Sequence, residues 1–117
     1  MTEKNKKGKE GEEEAATFLT SNGYSVVETN FRCQHCEIDL IVKNNGWLIF
    51  VEVKTRTGSA FGPPEIFVTR QQRRNIRWAA RHYIFSKGWQ GNVRFDVIAI
   101  LRTGQDYEIT HFKDAFH

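Results

Sequence analysis

Three residues on two neighbouring segments have the types and spacing to do chemistry together. Asp39 lies in Glu37–Lys43 (EIDLIVK), and Glu52 and Lys54 lie in Trp47–Lys54 (WLIFVEVK). The segments are separated by Asn44-Asn45-Gly46. Asn-Gly between two β-prone runs is the strongest short-range hairpin signal, because a type I′ turn needs positive φ at both central residues. With Asn45-Gly46 as the turn, Asn44 faces Trp47 and every pair outward is fixed, so Asp39 is expected opposite Glu52, and Glu37 opposite Lys54. Directly opposed side chains sit only ~5 Å apart, and like charges there oppose pairing. A divalent cation between the two carboxylates converts that repulsion into binding, and Mg²⁺ or Mn²⁺ held by one or two carboxylates leaves positions for substrate and water. Lys54 follows Glu52 by two residues and so shares its face. Its ammonium could orient an attacking water or stabilise charge at a phosphorus centre. The set suits phosphodiester hydrolysis. On spacing alone a second reading stands beside it: solvated residues on an exposed sheet face, with Glu37–Lys54 an ordinary cross-strand ion pair.

The flanking elements follow from local signals. A helix is expected from about Gly11, burying Ala15, Ala16, Phe18 and Leu19 and ending at Ser21-Asn22-Gly23, with residues 1–10 a charged, flexible start. Tyr24–Thr29 reads as a strand. Both hairpin segments are apolar on both faces, which places them centrally in a sheet covered on each side. Thr55–Ile66, with Gly58, Gly62, Pro63 and Pro64, reads as a long loop of the kind that carries function. A second helix spans Arg70–Lys87, opened by the capping box of Thr69 and Gln72 and stopped by Gly88. Val93–Leu101 and Tyr107–Phe112 complete the pattern. The order α-β-β-β-α-β-β predicts one α/β domain over residues 11–117 around a mixed sheet, with the strands flanking the second helix parallel.

The string Glu37-Ile-Asp39-Leu-Ile, a turn, then Phe50-Val-Glu52-Val-Lys54 resembles the motif of the PD-(D/E)XK nuclease superfamily. More closely, the chain resembles the YraN-like family of uncharacterised proteins, which is similar to Holliday-junction resolvases. The likeness extends to Gly11-Glu12-x-x-Ala15, Asn30-x-Arg32, Phe61-Gly62 and Arg94-Phe95-Asp96-Val97, covering nearly the whole chain in order. It implies a restriction-endonuclease-like fold, Asp39 and Glu52 as metal ligands, Lys54 as the catalytic lysine, and Glu12 reaching the same metal region. The chain departs from the family pattern at Cys36, where Gly is usual, and at Gln72, where a lysine is common.

The second helix carries Arg70, Arg73, Arg74, Arg77 and Arg81 and no acid. Arg70, Arg74, Arg77 and Arg81 form one stripe at i, i+3, i+4 spacing, suited to phosphates, against the plainer reading of a solvated face. Arg56, just past Lys54, is a further phosphate candidate. Trp47, Trp78 and Trp89 could stack on unpaired bases, but core or rim packing is favoured. Cys33-Gln-His-Cys36 offers half a zinc site without a second pair, so two free thiols in a loop are expected. Asp96 is expected to be a structural partner of an arginine.

Lys and Arg outnumber Asp and Glu by 17 to 14, so the global charge of +3 hints only weakly at nucleic acid and the arrangement of charges must carry the argument. The longest apolar run, Trp47–Val51, is far short of the ~20 residues of a membrane span, and no secretory signal is visible. Two cysteines are too few for a disulfide framework. The expectation is a soluble, cytoplasmic, Mg²⁺- or Mn²⁺-dependent endonuclease acting on DNA, including branched repair or recombination intermediates, with a homodimer possible. The alternative is a module on the same scaffold that binds nucleic acid without cutting it.

Overall fold

In the computed structural model, which describes residues 3–57 and 68–117, helix α1 (Glu3–Ser21) precedes strands β1 (Ser25–Cys33), β2 (Cys36–Asn44) and β3 (Trp47–Thr57). Helix α2 (Arg70–Lys87) and strands β4 (Asn92–Thr103) and β5 (Asp106–Phe116) follow. The five strands lie side by side in sequence order, antiparallel throughout except for the parallel β3–β4 pair that α2 connects. The described residues thus form an α/β protein with a mixed sheet flanked by two helices, consistent with a restriction-endonuclease-like fold. Of the loop expected over Thr55–Ile66, the first three residues finish β3. The remainder, with Phe61-Gly62, falls outside the described residues. Among the described residues, no helix is long and apolar enough to cross a membrane.

The hairpin forms as its turn chemistry requires. Asn45 and Gly46 take φ of 50° and 82°, and the pairs from Asn44↔Trp47 to Leu40↔Val51 are those expected. The two apolar faces of β2 and β3 feed separate cores. Leu40, Val42, Ile49 and Val51 pack with Ala15 and Leu19 of α1, while Ile41, Leu48 and Phe50 pack with Ile76, Ala79, Ala80 and Tyr83 of α2.

Helix α2 has the predicted limits and caps. Thr69 accepts from the Gln72 amide, the Gln72 side chain accepts from the Thr69 amide, and Gly88 closes the helix in the left-handed region at φ 63°. Helix α1 begins at Glu3 rather than near Gly11. Lys and Glu are strong helix formers, and the single Gly at position 8 costs only ~1 kcal/mol, which does not stop the run.

Gly11 serves packing rather than punctuation. It is buried in α1, and a Cβ there would lie 2.5 Å from Thr55 Oγ1 of β3. Only glycine lets the helix approach this closely, and the next residue is Glu12. A Glu14–Arg102 ion pair ties the following turn to β4. Gly11→Ala should therefore push α1 outward. The expected loss is about 1–3 kcal/mol in denaturant unfolding, against the ~1 kcal/mol gain that Ala brings to an unobstructed helix. Adding Thr55→Ala should recover that loss. Equal effects of Gly11→Ala in both backgrounds would contradict the close approach.

Candidate metal centre

The ladder between β2 and β3 stops at Leu40↔Val51, although β2 begins at Cys36 and β3 continues to Thr57. The side chain at Asp39 takes over from the backbone. Its Oδ2 accepts the Val53 amide proton at 2.7 Å, a bond that ordinary pairing would give to a main-chain carbonyl. Side-chain alternation also breaks here. Cys36 and Ile38 join the α2-side core, whereas Leu40 and Val42 join the α1-side core. From this point β2 follows β1 and β3 follows β4, leaving a cleft of about 270 Å³ between them. Asp39, Glu37 and Glu52 line it from the strands, Gln72 and Asn75 from α2, and His35 from the turn before β2.

The expected opposition of Asp39 and Glu52 is thus met in a different way. The two are not a ladder pair, yet both line one cleft and their carboxyls interact directly. The expected Glu37–Lys54 pair does not form. Glu37 pairs instead with Arg32 at 3.4 Å, and Lys54 Nζ donates to Gln72 Oε1 at 3.2 Å. The cause is the early end of the ladder, which leaves Glu37 with its β1 partner and sends Lys54 towards α2. The same Gln72 oxygen accepts the Thr69 amide at 3.0 Å, so one side chain both opens α2 and holds the site lysine.

Glu12 arrives from the other side of the sheet. One carboxylate oxygen each of Glu12, Glu37 and Asp39 can be chosen so that all three lie within 4.8 Å of one another. Asn30, in the left-handed region at φ 50°, steadies two of them. With its amide nitrogen turned towards the carboxylates, it donates to Glu12 Oε1 at 2.7 Å and Glu37 Oε1 at 3.0 Å. Neither Asn30 nor Glu37 stood out as a site residue in the sequence. The one available signal was the Asn30-x-Arg32 likeness, because nothing local shows that β1 faces the acidic end of β2.

These acids strain one another. Burial, then the Asp39 carboxylate, pushes the Glu52 pKa up to about 9. Burial, then the charges of Asp39 and Glu37, raises Glu12 to about 7. Four carboxyls with too few cations among them are the donor set of a hard divalent ion, which prefers oxygen ligands. Lys54 supplies one positive charge beside them. A larger groove of about 520 Å³ lies between α1 and β5, where Glu10, Glu13 and Glu14 meet Tyr107 and Ile109. The crowded acids Glu37, Asp39 and Glu52 lie in the smaller cleft, which is therefore the candidate site.

The other candidates divide. Arg70, Arg74 and Arg81 are exposed on α2, but Arg77 is half-buried and donates to the His117 carbonyl at 2.7 Å. Arg56 is exposed at the end of β3, with Nη1 on the Thr55 carbonyl at 3.0 Å. Asp96 is structural. It is fully buried and accepts from Arg94 at 2.8 and 2.9 Å and from the Asp114 amide at 2.9 Å, with His111 Nε2 at 2.6 Å. Cys33 and Cys36 are free thiols. They are not in a loop: they are the paired strand ends flanking a two-residue turn.

The raised acids predict an inverted pH dependence. An unfolded glutamate titrates near 4.5, whereas Glu12 and Glu52 hold their protons to about 7 and 9 when folded. The folded state binds more protons across that window, so metal-free stability falls as pH rises from about 5 to 9. Glu52→Gln, which cannot ionise, should flatten the slope. Because ligation needs ionised carboxylates, Mn²⁺ should bind more tightly and release protons as pH rises over the same window. Denaturant unfolding at a series of pH values checks the first statement and calorimetry in two buffers the second. Identical slopes for wild type and Glu52→Gln would contradict the assignment.

The model of an uncharacterised protein family, UPF0102 (the YraN family), matches residues 11–100. A UPF0102 protein of Flavobacterium psychrophilum is 39% identical over the whole chain and 98% of its own length. One from Geotalea daltonii is 47% identical over 93% of this chain and 87% of its own. One from Rhodococcus jostii is 43% identical over 93% of this chain and 94% of its own. With the match running from the residue that seats α1 on β3 to Ile100 within β4, the chain belongs to the UPF0102 family.

Proposed function

We propose that this protein is a metal-dependent endonuclease that hydrolyses phosphodiester bonds in DNA, with Mg²⁺ or Mn²⁺ as its cofactor. The observation that carries the reading is that Asp39 lines one cleft with Glu52 and Glu37 and also clusters with Glu12 and Glu37, while Gln72 of the same cleft holds Lys54. Asp39, Glu52 and Glu12 are the residues that would hold the ion, with Glu37 in reach. The ion, when bound, supplies Lewis-acid activation of water and of a phosphoryl oxygen.

The chain's own groups do the rest. The Val53 amide fixes the Asp39 carboxylate, so this ligand needs little reorganisation. Lys54, tethered through Gln72, presents its remaining donors to a water or a non-bridging phosphate oxygen, where charge grows during displacement. Asn30 holds Glu12 and Glu37 in register. Arg70, Arg74 and Arg81 extend a cationic path along α2, and Arg56 lies past Lys54 on β3. The reading extends to branched repair or recombination intermediates as substrates. A binding module that no longer cuts would have little use for a lysine tethered beside crowded carboxylates.

Two outcomes follow. Asp39→Asn, Glu52→Gln and Lys54→Met should each abolish Mn²⁺-dependent cleavage of duplex, flapped and four-way DNA, because the three act as a unit. Cleavage in EDTA, or by Glu52→Gln, contradicts the mechanism. In binding assays, Arg70→Ala, Arg74→Ala and Arg81→Ala should each flatten the log–log salt dependence by ~1 or less. Arg77→Ala should leave that slope nearly unchanged and lower stability instead, since Arg77 is tied to the C-terminal residue. A slope unaffected in all four variants would make the stripe an ordinary solvated face.

A further inference from the structure

The outer face of α2 carries an aromatic row that starts at the core rim and runs out into solvent, where no fold requirement explains its last ring. Trp78, His82 and Phe85 follow at i, i+4 and i+7, on one side of the helix and away from the buried Ile76, Ala79, Ala80 and Tyr83. Phe85 is 89% exposed, the most exposed large hydrophobic side chain among the described residues. The His82 ring lies on Trp78 at 4.0 Å between centroids and 37° between planes, and its Nδ1 is 3.0 Å from the Trp78 carbonyl. Trp78 is half-buried at the rim of the α2-side core. Exposing Phe85 gains nothing for the fold, and with exposed His82 it extends the rim-packed Trp78 into one continuous aromatic surface rather than a single stray residue.

The row does not stand alone. Arg74 precedes Trp78 by four residues and Arg81 precedes Phe85 by four, so Trp78 and Phe85 each have an exposed guanidinium as a helical neighbour. No Asp or Glu occurs in α2. At its other end, α2 delivers Gln72 and Asn75 to the metal cleft. At about 1.5 Å per residue, the row starts roughly 9 Å along the helix from Gln72 and ends about 20 Å away. An apolar protein partner would find this surface ringed by like charges, and a second copy of α2 would repel it.

We infer that the outer face of α2 is a binding surface for unpaired nucleotides, with Phe85 and the Trp78–His82 pair stacking on bases while Arg74 and Arg81 hold the intervening phosphates. Rings with interleaved arginines are how single strands are gripped without sequence preference, since every base offers a π-face. Duplex bases are already stacked and offer no such face. The inference rests on the nucleic-acid reading above and adds its substrate class: a strand that is single along α2 as it approaches the cleft.

The test is binding of fluorescent oligo(dT) and of a blunt duplex, both in EDTA so that cleavage plays no part. Phe85→Ala should weaken oligo(dT) binding about 5- to 100-fold and leave duplex binding within a factor of two. Phe85→Tyr should retain wild-type affinity, and Phe85→Leu, apolar but without a ring, should behave like Ala. Because Phe85 is almost wholly in solvent, these variants should fold as wild type does, with unchanged thermal melts. Trp78→Phe should bind like wild type, since a ring remains. Equal losses for oligo(dT) and duplex would overturn the stacking role, as would Leu substituting for Phe. So would unchanged binding with a change in oligomeric state by light scattering, which would make the face a contact between copies. A wild-type chain that binds neither probe would overturn the nucleic-acid reading itself, whereas normal binding with the wrong variant pattern would overturn only this inference.

Discussion

The bond from the Val53 amide to the Asp39 carboxylate, 2.7 Å long, decides where the sheet opens. Up to Leu40↔Val51 the hairpin is an ordinary antiparallel pair. One residue further, a side chain accepts what a backbone carbonyl would have taken, and the two strands go on with different partners. A buried amide left unpaired at the break would cost ~1–3 kcal/mol. Asp39 satisfies it while leaving its other oxygen for the cleft. The opening therefore carries little penalty in lost backbone pairing, and the group that permits it also belongs to the site.

Around that opening, three packing decisions deliver charge to one place. Gly11 lets α1 sit against Thr55, which brings Glu12 to Asp39 and Glu37. The capping box of α2 lends Gln72 to Lys54. Asn30, in a conformation few side chains adopt, brings an amide donor to Glu12 and Glu37. None of these relieves the burial and the mutual repulsion that together raise the pKa values of Glu12 and Glu52. An arrangement that costs stability and is assembled from both helices and three strands makes physical sense when a cation completes it. The buried Asp96 network shows the contrast. There Arg94, His111 and a backbone amide surround one carboxylate, which is held below the usual carboxylate range despite its burial.

What was legible in the sequence was local or periodic. Asn45-Gly46 dictated the turn and thereby five backbone pairs, and Thr69, Gln72 and Gly88 fixed both ends of α2. The two-sided apolar pattern of β2 and β3 foretold a covered sheet. The illegible parts depend on non-local competition. A fixed register extrapolated outward puts Asp39 in a ladder pair with Glu52, because sequence cannot show that a side chain will capture the Val53 amide. Once the ladder ends, Glu37 stays with Arg32 and Lys54 turns to Gln72, so the expected Glu37–Lys54 pair was lost for the same reason. Arg77 looked like its neighbours in the stripe until the C-terminal strand brought the His117 carbonyl beside it. Family likeness named Glu12 where spacing could not, since the approach of α1 depends on a glycine contact some forty residues away in sequence.

The account stands or falls on a cation in the splayed hairpin. The most direct measurement is anomalous diffraction from crystals of the protein soaked in Mn²⁺ at pH 8, with Glu52→Gln treated identically. The account predicts a single strong peak in wild type between the Asp39 and Glu52 carboxyls, at the roughly 2.0–2.2 Å expected for carboxylate ligation of a small divalent ion, and its loss in the variant. A peak confined to the groove at Glu10, Glu13 and Glu14, or none in the cleft at millimolar Mn²⁺, would contradict it.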